Sequence, residues 1–362
     1  MMKNILLVGG TGFVGSHLSS AFGNQYSITA VGRDVDVCKP SDLSALIRTV
    51  QPDAVVHLAA VTTLKESFAD PSLTYATNFM GTLNLLSALR ENHFQGRMLN
   101  VSSSEIYGLL NESDLPVTES LLTHPLSPYA VAKIASEALC YQWSQTESFE
   151  IVSARPFNHI GPGQSARFAI ADFGKQIAAI KLGLAEPILN VGDIDTTRDF
   201  TDVRDIAAAY QLLLESGKNG GIYNVCSGVE RSVRSLIIRM CELVNIQVEL
   251  RADPERMRLS DQRRVCGSYQ KLSADTGWKP QIPIDKTLLD IVEYWMTNLQ
   301  RNTNLPSWKL PSFKINFWHL QGQKECSCIW RKSLKRLMYL PCATTLKPPG
   351  LNSKPFRLRR IG

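Results

Sequence analysis

The chain has 362 residues, of which 44% are hydrophobic and 20% are charged, a balance typical of globular proteins. It contains no apolar run of about 18 residues or more, so the sequence predicts no transmembrane helix and no membrane partner. The eight cysteines are scattered without the spacing of a zinc site, which argues against a bound metal and favours a reducing, cytoplasmic location.

Basic residues are concentrated at one end of the chain. Residues 297–362 hold 13 of the 39 lysines and arginines but a single acid, Glu325, whereas the preceding residues are net acidic. This basic tail has isolated aromatic residues and little periodicity, which predicts an irregular or disordered segment. Because no helix there segregates its charges onto one face, we favour an appended segment over a basic arm for membranes or nucleic acid.

The first part of the chain, residues 1–156, alternates short apolar strands with amphipathic helices. The pattern predicts strands at 5–8, 28–31, 54–58, 98–101 and 151–154, and helices at 13–22, 43–50, 72–91 and 129–143. Strands that are apolar on both faces and alternate with helices are typical of a parallel sheet covered on both sides. The sequence therefore predicts an α/β fold with a Rossmann-type, doubly wound parallel sheet.

The pattern loosens after residue 156, where proline and glycine become frequent. Helices are predicted at 168–182, 203–215, 232–244 and 285–299, with short strands near 188–191 and 222–225. We interpret residues 157–296 as a smaller, mixed C-terminal lobe that binds substrate, with segments near 188–225 also contributing to the first domain. Such a lobe would lie over the carboxyl ends of the parallel strands, where open α/β sheets bind ligands.

A glycine motif joins the first predicted strand to the first predicted helix. Gly9, Gly12 and Gly15 form G-x-x-G-x-x-G. The first glycine allows a tight turn, the second lets the backbone approach a pyrophosphate, and the third allows the helix to pack closely on the strand. The helix would then begin at Phe13 and Val14 with its N-terminus facing the phosphates of a dinucleotide.

The end of the second predicted strand bears on the choice of dinucleotide. Arg33 follows this strand, and a guanidinium there suits the 2′-phosphate of NADPH. Asp34 is adjacent, and a carboxylate at this place suits the ribose of NADH, so NADH stays possible. Asp36 and Val37 are predicted to flank the adenine.

Two motifs carry the groups for hydride transfer at a carbonyl. Tyr129 and Lys133 are four residues apart on a predicted helix and therefore share a face. A nearby ammonium favours the phenolate, and a tyrosine tuned in this way can give a proton to a carbonyl oxygen. Residues 102–104 are three serines at the end of the fourth predicted strand, where a ligand would lie, and one of them could hydrogen-bond the developing alkoxide.

These motifs in this order, together with His57-Leu58-Ala59-Ala60, resemble the extended short-chain dehydrogenase/reductases over about residues 1–296. The resemblance implies a triad of Ser103, Tyr129 and Lys133, in which Lys133 also holds the nicotinamide ribose. It implies a nicotinamide pocket near Leu58, Ala59 and Ala60. It further implies that Asn78 stabilises the active-site strands, and that the protein is a homodimer through helices at 72–91 and 127–146.

The second lobe resembles the GDP-6-deoxy-mannose reductases in several segments. They lie at 155–164, 191–195, 198–205, 223–228, 253–258 and 262–265. The resemblance implies that NADPH reduces C4 of GDP-4-keto-6-deoxy-D-mannose, a GDP-linked sugar, to give GDP-D-rhamnose. Arg198 and Arg258 are the candidate diphosphate ligands, because arginine binds phosphate oxygens through two parallel hydrogen bonds. Asn158 and Ser104 are further candidate substrate contacts.

Three alternatives stay open. Glu105 lies two residues past Ser103, where GDP-mannose 4,6-dehydratases carry a glutamate that takes the C5 proton and helps to expel the C6 hydroxyl. Against a dehydratase, only a few residues separate Val31 from Asp36, where dehydratases carry more structure around NADP. A nucleotide-sugar 4-epimerase is the next alternative. A cofactor-binding scaffold without catalysis is disfavoured, because it would have no need of the serine, the tyrosine and the lysine together.

Overall fold

The computed structural model describes residues 3–23, 25–254 and 262–303, in which strands and helices alternate as the sequence predicts. The strands are β1 (Asn4–Val8), β2 (Ser27–Val31), β3 (Ala54–His57), β4 (Arg97–Val101), β5 (Glu150–Pro156), β6 (Asn158–Ile160), β7 (Ile188–Val191), β8 (Thr197–Asp202), β9 (Ile222–Val225), β10 (Glu230–Ser232) and β11 (Glu249–Ala252). The helices are α1 (Phe13–Phe22), α2 (Pro40–Val50), α3 (Leu64–Ala69), α4 (Pro71–Tyr75), α5 (Gly81–Glu91), α6 (Pro128–Thr146), α7 (Ala169–Lys181), α8 (Val203–Ser216), α9 (Val233–Leu243), α10 (Gln270–Thr276) and α11 (Ile284–Thr303).

The largest sheet has six strands in the order β2-β1-β3-β4-β5-β9, and every neighbouring pair is parallel. The chain leaves β1 toward β2 on one side and later returns to β3 on the other. The order therefore reverses between β1 and β3, and in open α/β sheets the crevice at such a reversal is where ligands bind. The loops that follow β1 and β3 should line that crevice.

Alternating side chains of the strands are buried in two hydrophobic cores, one on each face of the sheet. Ile5 and Leu7 of β1 face the core formed with α1 and α8, whereas Leu6 and Val8 face the core formed with α2, α5 and α6. All four side chains are at most 1% exposed, and burying each stabilises the fold by about 1.5–3 kcal/mol. The prediction of a doubly wound parallel sheet is confirmed.

The second lobe contains two small sheets. In the first, β8 pairs with β10 in antiparallel and with β6 in parallel orientation, and in the second, β7 pairs with β11. Helices α7, α9 and α11 cover these strands through a separate core. The smaller mixed lobe predicted from the sequence is therefore present.

Two strands predicted to contribute to the first domain have different positions. Strand β9 is an edge strand of the six-stranded sheet, as predicted. Strand β7 instead pairs with β11, because Leu189 and Val191 are buried in the core of the second lobe.

The C-terminal end of the described chain is helical. Helix α11 continues to Thr303, beyond residue 297 where the sequence predicts the irregular tail to begin, and Leu299 packs against the core of the second lobe. The rest of the predicted basic tail, residues 304–362, lies outside the described residues. No helix in the described ranges has the length and apolar character needed to cross a membrane.

Candidate active site

The ends of β1 and β3 meet at the glycine turn. Gly9 has a φ of +85°, and a Cβ added there would lie 2.5 Å from the backbone nitrogen of Ala59. The amides of Leu58 and Ala59 both donate to the carbonyl oxygen of Val8, at 2.8 and 2.9 Å. Leu58, Ala59 and Ala60 are partly exposed beside this turn. The predicted nicotinamide-pocket residues therefore lie at the crevice where the strand order reverses.

Helix α1 begins in this crevice with an open first turn. No side chain caps the helix at Gly12, so the amides of the first turn, which includes Phe13 and Val14, are available to an anion. Gly15 packs on the turn itself, since a Cβ there would lie 2.2 Å from the carbonyl oxygen of Gly10. A glycine cradle with an uncapped helix N-terminus fits the pyrophosphate of a dinucleotide.

The loop after β2 contains one arginine and two aspartates, and both aspartates accept hydrogen bonds from backbone amides of the same loop. Asp34 accepts from the amide of Gly32 at 2.7 Å, and Asp36 accepts from the amide of Cys38 at 2.9 Å. Arg33 is exposed and forms no ion pair with any residue that the structure describes. The guanidinium is therefore the group in this loop that is most available to a phosphate.

Val37, which is predicted to flank the adenine, has a buried side chain. Its side chain is 5% exposed and belongs to the core beneath α2 and α5. A Cβ added to Gly81 would lie 2.7 Å from Val37 Cγ2, and Asn84 donates to the Val37 carbonyl oxygen at 3.0 Å. The valine is apolar and packs inward, beneath α2 and α5.

Asn78 clamps the loop that follows β3. Its side chain accepts from the amide of Val61 at 2.7 Å and donates to the Val61 carbonyl oxygen at 3.0 Å. It lies in a π-helix, Ala76–Met80. The Asn78 carbonyl oxygen accepts from the hydroxyls of Thr82 and Ser136, at 2.8 and 2.7 Å. Asn78 thus joins the crevice loop to α6.

Helix α6 places the tyrosine and the lysine of the predicted triad on its buried face. Ser127 caps the helix by accepting from the amide of Ala130 at 3.1 Å. Tyr129 is 9% exposed and Lys133 is 6% exposed. The Lys133 ammonium donates to the Val101 carbonyl oxygen at 2.7 Å and lies 5.8 Å from the Tyr129 ring centroid. The lysine therefore joins α6 to the end of β4.

Ser103 begins the turn that follows β4. Its hydroxyl accepts from the amide of Glu105 at 3.2 Å and so caps a 3₁₀ helix, Ser104–Tyr107. The Ser103 hydroxyl lies close enough to the Tyr129 phenol to lower the pKa of that phenol through hydrogen bonding. The structure thus brings Ser103, Tyr129 and Lys133 together, as the resemblance implies.

The protonation of this cluster differs from the expectation that Lys133 favours a phenolate. Burial raises the pKa of Tyr129 to about 12, a hydrogen bond with Ser103 opposes the rise, and the charge of Glu105 adds to it. Burial lowers the pKa of Lys133 to about 8, against the charge of Glu137. Desolvation disfavours the charged form of both groups. Tyr129 is therefore a protonated phenol near neutral pH, which is the form that a proton donor needs.

Glu105 and Arg198 lie close enough to each other to interact electrostatically. Burial raises the pKa of Glu105, and the charge of Arg198 opposes the rise. Glu105 as a residue is exposed to solvent, although the protein around its carboxyl group desolvates that group enough to raise its pKa. Arg198 is oriented by its donations to the carbonyl oxygens of Thr197 at 2.7 Å and Gln262 at 3.1 Å. The predicted diphosphate ligand therefore lies near the predicted acid.

The remaining predicted substrate contacts are Asn158, Ser104 and Arg258, and the structure describes the first two. Asn158 is exposed at the start of β6, and Ser104 is partly exposed in the turn after β4. The next residue of β6, His159, stacks on Phe13 of α1 with ring centroids 6.1 Å apart. This stack places the Asn158 segment beside the glycine turn. Arg258 lies outside the described residues, and its predicted role stays a prediction.

Sequence reasoning missed a buried ion pair behind the site. Arg155 on β5 and Glu137 on α6 are 2.8 Å apart and are both 6% exposed. A signal was present, because Glu137 follows Lys133 by the same four residues that separate Lys133 from Tyr129. A carboxylate on the buried face of a helix indicates a buried partner.

Three comparisons relate the whole described fold to known proteins. A family model described as GDP-mannose 4,6 dehydratase matches residues 29–291. The chain is 44% identical over 303 residues to GDP-6-deoxy-D-mannose reductase of Pseudomonas aeruginosa, covering 83% of this chain and 99% of the relative. It is 27% identical over 340 residues to dTDP-glucose 4,6-dehydratase of Haemophilus influenzae, covering 82% and 99%.

A solved structure of RMD from Pseudomonas aeruginosa complexed with NADPH is similar with a TM-score of 0.78 and 43% identity, covering 82% of this chain and 99% of that chain. The family model begins within β2 and extends through most of the second lobe, and the reductase relative matches 83% of the chain. The resemblance drawn from the motifs is confirmed: the chain belongs to the GDP-mannose 4,6-dehydratase family of extended short-chain dehydrogenase/reductases.

Proposed function

We propose that this protein is a reductase that uses NADPH to convert GDP-4-keto-6-deoxy-D-mannose to GDP-D-rhamnose. The observation that carries the proposal is the meeting of Ser103, Tyr129 and Lys133 at the end of β4, in a fold whose glycine turn fits a dinucleotide. The 44% identity to a GDP-6-deoxy-D-mannose reductase over most of both chains supports the choice of substrate.

The residues of the crevice fit a dinucleotide. Gly9 keeps open a space that a Cβ would fill, and the first turn of α1 offers uncapped amides to the pyrophosphate. Arg33 favours the 2′-phosphate of NADPH, and the similar RMD structure was solved with NADPH. NADH stays a second possible donor, because Asp34 and Asp36 flank the guanidinium.

The mechanism uses a neutral phenol as the acid. When bound, the nicotinamide supplies a hydride to C4 of the sugar. Tyr129 donates its proton to the C4 oxygen, so that the oxygen becomes a neutral hydroxyl group that stays bonded to C4. Ser103 donates a hydrogen bond to the same oxygen and stabilises the charge that develops there. Lys133 orients the nicotinamide ribose, and its ammonium stabilises the phenolate that Tyr129 becomes.

We place the proposed diphosphate site at Arg198. Arg198 is held by main-chain carbonyl oxygens, and its guanidinium would bind phosphate oxygens of GDP. Asn158 and Ser104 would contact the sugar or the diphosphate, and Arg258 would supply a second guanidinium. These assignments rest on the electrostatic proximity of Glu105 and Arg198 and on the resemblance of the second lobe.

A dehydratase is the second candidate, because of Glu105. Its carboxylate lies near enough to Tyr129 to affect the phenol electrostatically, and burial raises its pKa toward the value that suits a general base. A dehydratase would use Glu105 to remove the C5 proton of a 4-keto intermediate and to return it to the departing C6 hydroxyl. The similarity to a dTDP-glucose 4,6-dehydratase keeps this reaction in view.

One experiment separates the two reactions. The purified protein is incubated with GDP-mannose alone, and in parallel with GDP-4-keto-6-deoxy-D-mannose and NADPH, and the products are separated by chromatography. The reductase predicts consumption of NADPH with the keto sugar and no reaction with GDP-mannose. Conversion of GDP-mannose to the keto sugar without added NADPH would establish the dehydratase instead, and the Glu105→Gln variant should then lose that activity.

We also propose a cytoplasmic homodimer. Large apolar side chains are exposed on neighbouring helices: Phe68 is 59% exposed, Leu73 52% and Met80 43%, and on α6 Val131 is 41% and Tyr141 55% exposed. A two-fold pairing through these helices would bury them. The cytoplasm supplies NADPH and keeps cysteines reduced. Sedimentation analysis of the wild type and of Tyr141→Glu tests the pairing, which predicts a dimer and a monomer respectively.

A further inference from the structure

The buried ion pair behind the active site takes no part in the mechanism above. Arg155 binds Glu137 through two parallel hydrogen bonds, from Nε to Oε1 at 3.0 Å and from Nη2 to Oε2 at 2.8 Å. Because each ion loses its hydration on burial, a pair of this kind contributes little net stability. Stability alone is therefore a weak reason for its presence.

The Glu137 carboxylate lies on the same face of α6 as Tyr129, the proposed acid. Tyr129, Lys133 and Glu137 succeed one another at four-residue spacing, and all three are at most 9% exposed. A shift of Glu137 along or around the helix axis would therefore move the phenol and the ammonium with it.

The Arg155 guanidinium also binds the turn that carries Ser103. Arg155 Nη1 donates to the Tyr107 hydroxyl at 2.9 Å, and the guanidinium carbon lies 5.1 Å from the Tyr107 ring centroid. Tyr107 in turn donates to Asn224 Oδ1 at 2.7 Å, and it ends the 3₁₀ helix that Ser103 caps. One side chain thus bridges the two elements that bring Ser103 and the tyrosine of α6 together.

Charged and titratable groups reach Lys133 from two elements of the described chain. On α6 they are Tyr129, Glu137 and Cys140, and at the end of β3 there is His57. Burial keeps the pKa of His57 at about 3 and raises that of the Cys140 thiol, so both are neutral between pH 7 and 8. Glu137 is the anion among these groups, and its charge raises the pKa of Lys133 against the effect of burial.

We propose that Glu137 and Arg155 are positioning residues for the hydride-transfer site, an inference that rests on the proposed function. The pair fixes the Ser103 turn relative to the Tyr129 face of α6. The carboxylate of Glu137 also keeps Lys133 charged in a desolvated site.

The test replaces the whole pair. A single change would leave one buried charge without its partner and is strongly destabilising, whereas replacing both ions with apolar residues of similar size is often neutral. The double variant Glu137→Met/Arg155→Met is therefore compared with the wild type and with Tyr107→Phe. The single variant Tyr107→Phe keeps both charges and removes the hydrogen bond to Arg155 Nη1.

The double variant should fold cooperatively and reduce the keto sugar at pH 7 with a kcat lower by about tenfold or more, because misplacement of about 1 Å has costs of this order. KM and the Kd for NADPH should stay within about twofold. The alkaline midpoint of its kcat profile should move to lower pH, since Lys133 has lost the anion that favours its charged form. In Tyr107→Phe, kcat should fall by a few-fold with the alkaline midpoint unchanged.

The inference and the proposed function fail separately in this series. If the wild type reduces the keto sugar and the folded double variant retains its kcat and pH profile, the inference is overturned and the function stands. If the double variant does not fold, Tyr107→Phe decides, and an unchanged kcat overturns the inference. If the wild type is inactive, the proposed function fails. The inference is then tested by the pH dependence of NADPH binding: a lower midpoint in the double variant supports it, and an unchanged midpoint overturns it.

Discussion

The glycine turn offers a prediction whose magnitude follows from the geometry. At Gly9 the left-handed φ of +85° costs an alanine about 1–2 kcal/mol. The added Cβ would also lie 2.5–2.9 Å from backbone atoms of Leu58 and Ala59, and overpacking of this kind costs about 1–3 kcal/mol more. We therefore expect Gly9→Ala to lower the free energy of unfolding by about 2–5 kcal/mol and to abolish NADPH binding.

Two other glycines provide matched controls. Gly183 has a φ of +72° with nothing within 4 Å of an added Cβ, so Gly183→Ala should cost about 1–2 kcal/mol and leave NADPH binding intact. At Gly12 the φ is −79° and the nearest atom to an added Cβ is the Gly9 carbonyl oxygen at 3.4 Å. Gly12→Ala should therefore be neutral or about 0.4–1 kcal/mol stabilising, while its methyl group blocks the approach of the pyrophosphate.

Urea unfolding followed by circular dichroism gives the free energies, and isothermal titration calorimetry gives the Kd for NADPH. Unchanged stability in Gly9→Ala would refute the steric argument. Unweakened NADPH binding by Gly12→Ala would refute the placement of the pyrophosphate at the start of α1.

Three further predictions follow from the site. Tyr129→Phe should lower kcat for the keto sugar by about 10²–10⁴-fold, because a general acid contributes this much. As a control, its Kd for NADPH should stay within about twofold of the wild-type value. Undiminished turnover would exclude the phenol as the acid. Arg33→Ala should weaken NADPH binding by about 10- to 150-fold and leave NADH binding unchanged, because a charge-assisted hydrogen bond is worth about 1.5–3 kcal/mol. Equal effects on both cofactors in binding titrations would contradict the assignment. His57 is buried with its pKa lowered to about 3, so the unfolded chain binds one more proton than the native protein from about pH 6.5 down to that value, and stability falls as the pH falls. The loss should approach about 1.4 kcal/mol per pH unit and be absent from His57→Gln; identical acid titrations would contradict it.

The parts of the site that the sequence predicts are those held together by local spacing. The glycines at 9, 12 and 15 lie within one turn, and Tyr129 and Lys133 within one turn of helix, so the local conformation alone determines their relation. The alternation of buried strands and helices predicts the sheet for the same reason.

The parts that sequence reasoning missed depend on contacts between distant segments. Arg155 is 18 residues from Glu137 and 48 from Tyr107, and no local pattern pairs them. The protonation of Tyr129 was misjudged because spacing shows the nearby lysine but not the burial that outweighs it. The packing of Val37 beneath α5 likewise depends on a distant residue, Gly81, and its position beside adenine stays a prediction.

The central claim is that hydride passes to C4 of a GDP-linked 4-keto sugar in this site. The most direct test supplies GDP-4-keto-6-deoxy-D-mannose with NADPH that carries deuterium at the transferable position, and examines the product by mass spectrometry and proton NMR. The account predicts one deuterium per product, located at C4, in a GDP-6-deoxyhexose with the configuration of rhamnose. A product without deuterium, or with deuterium at another carbon, would contradict it.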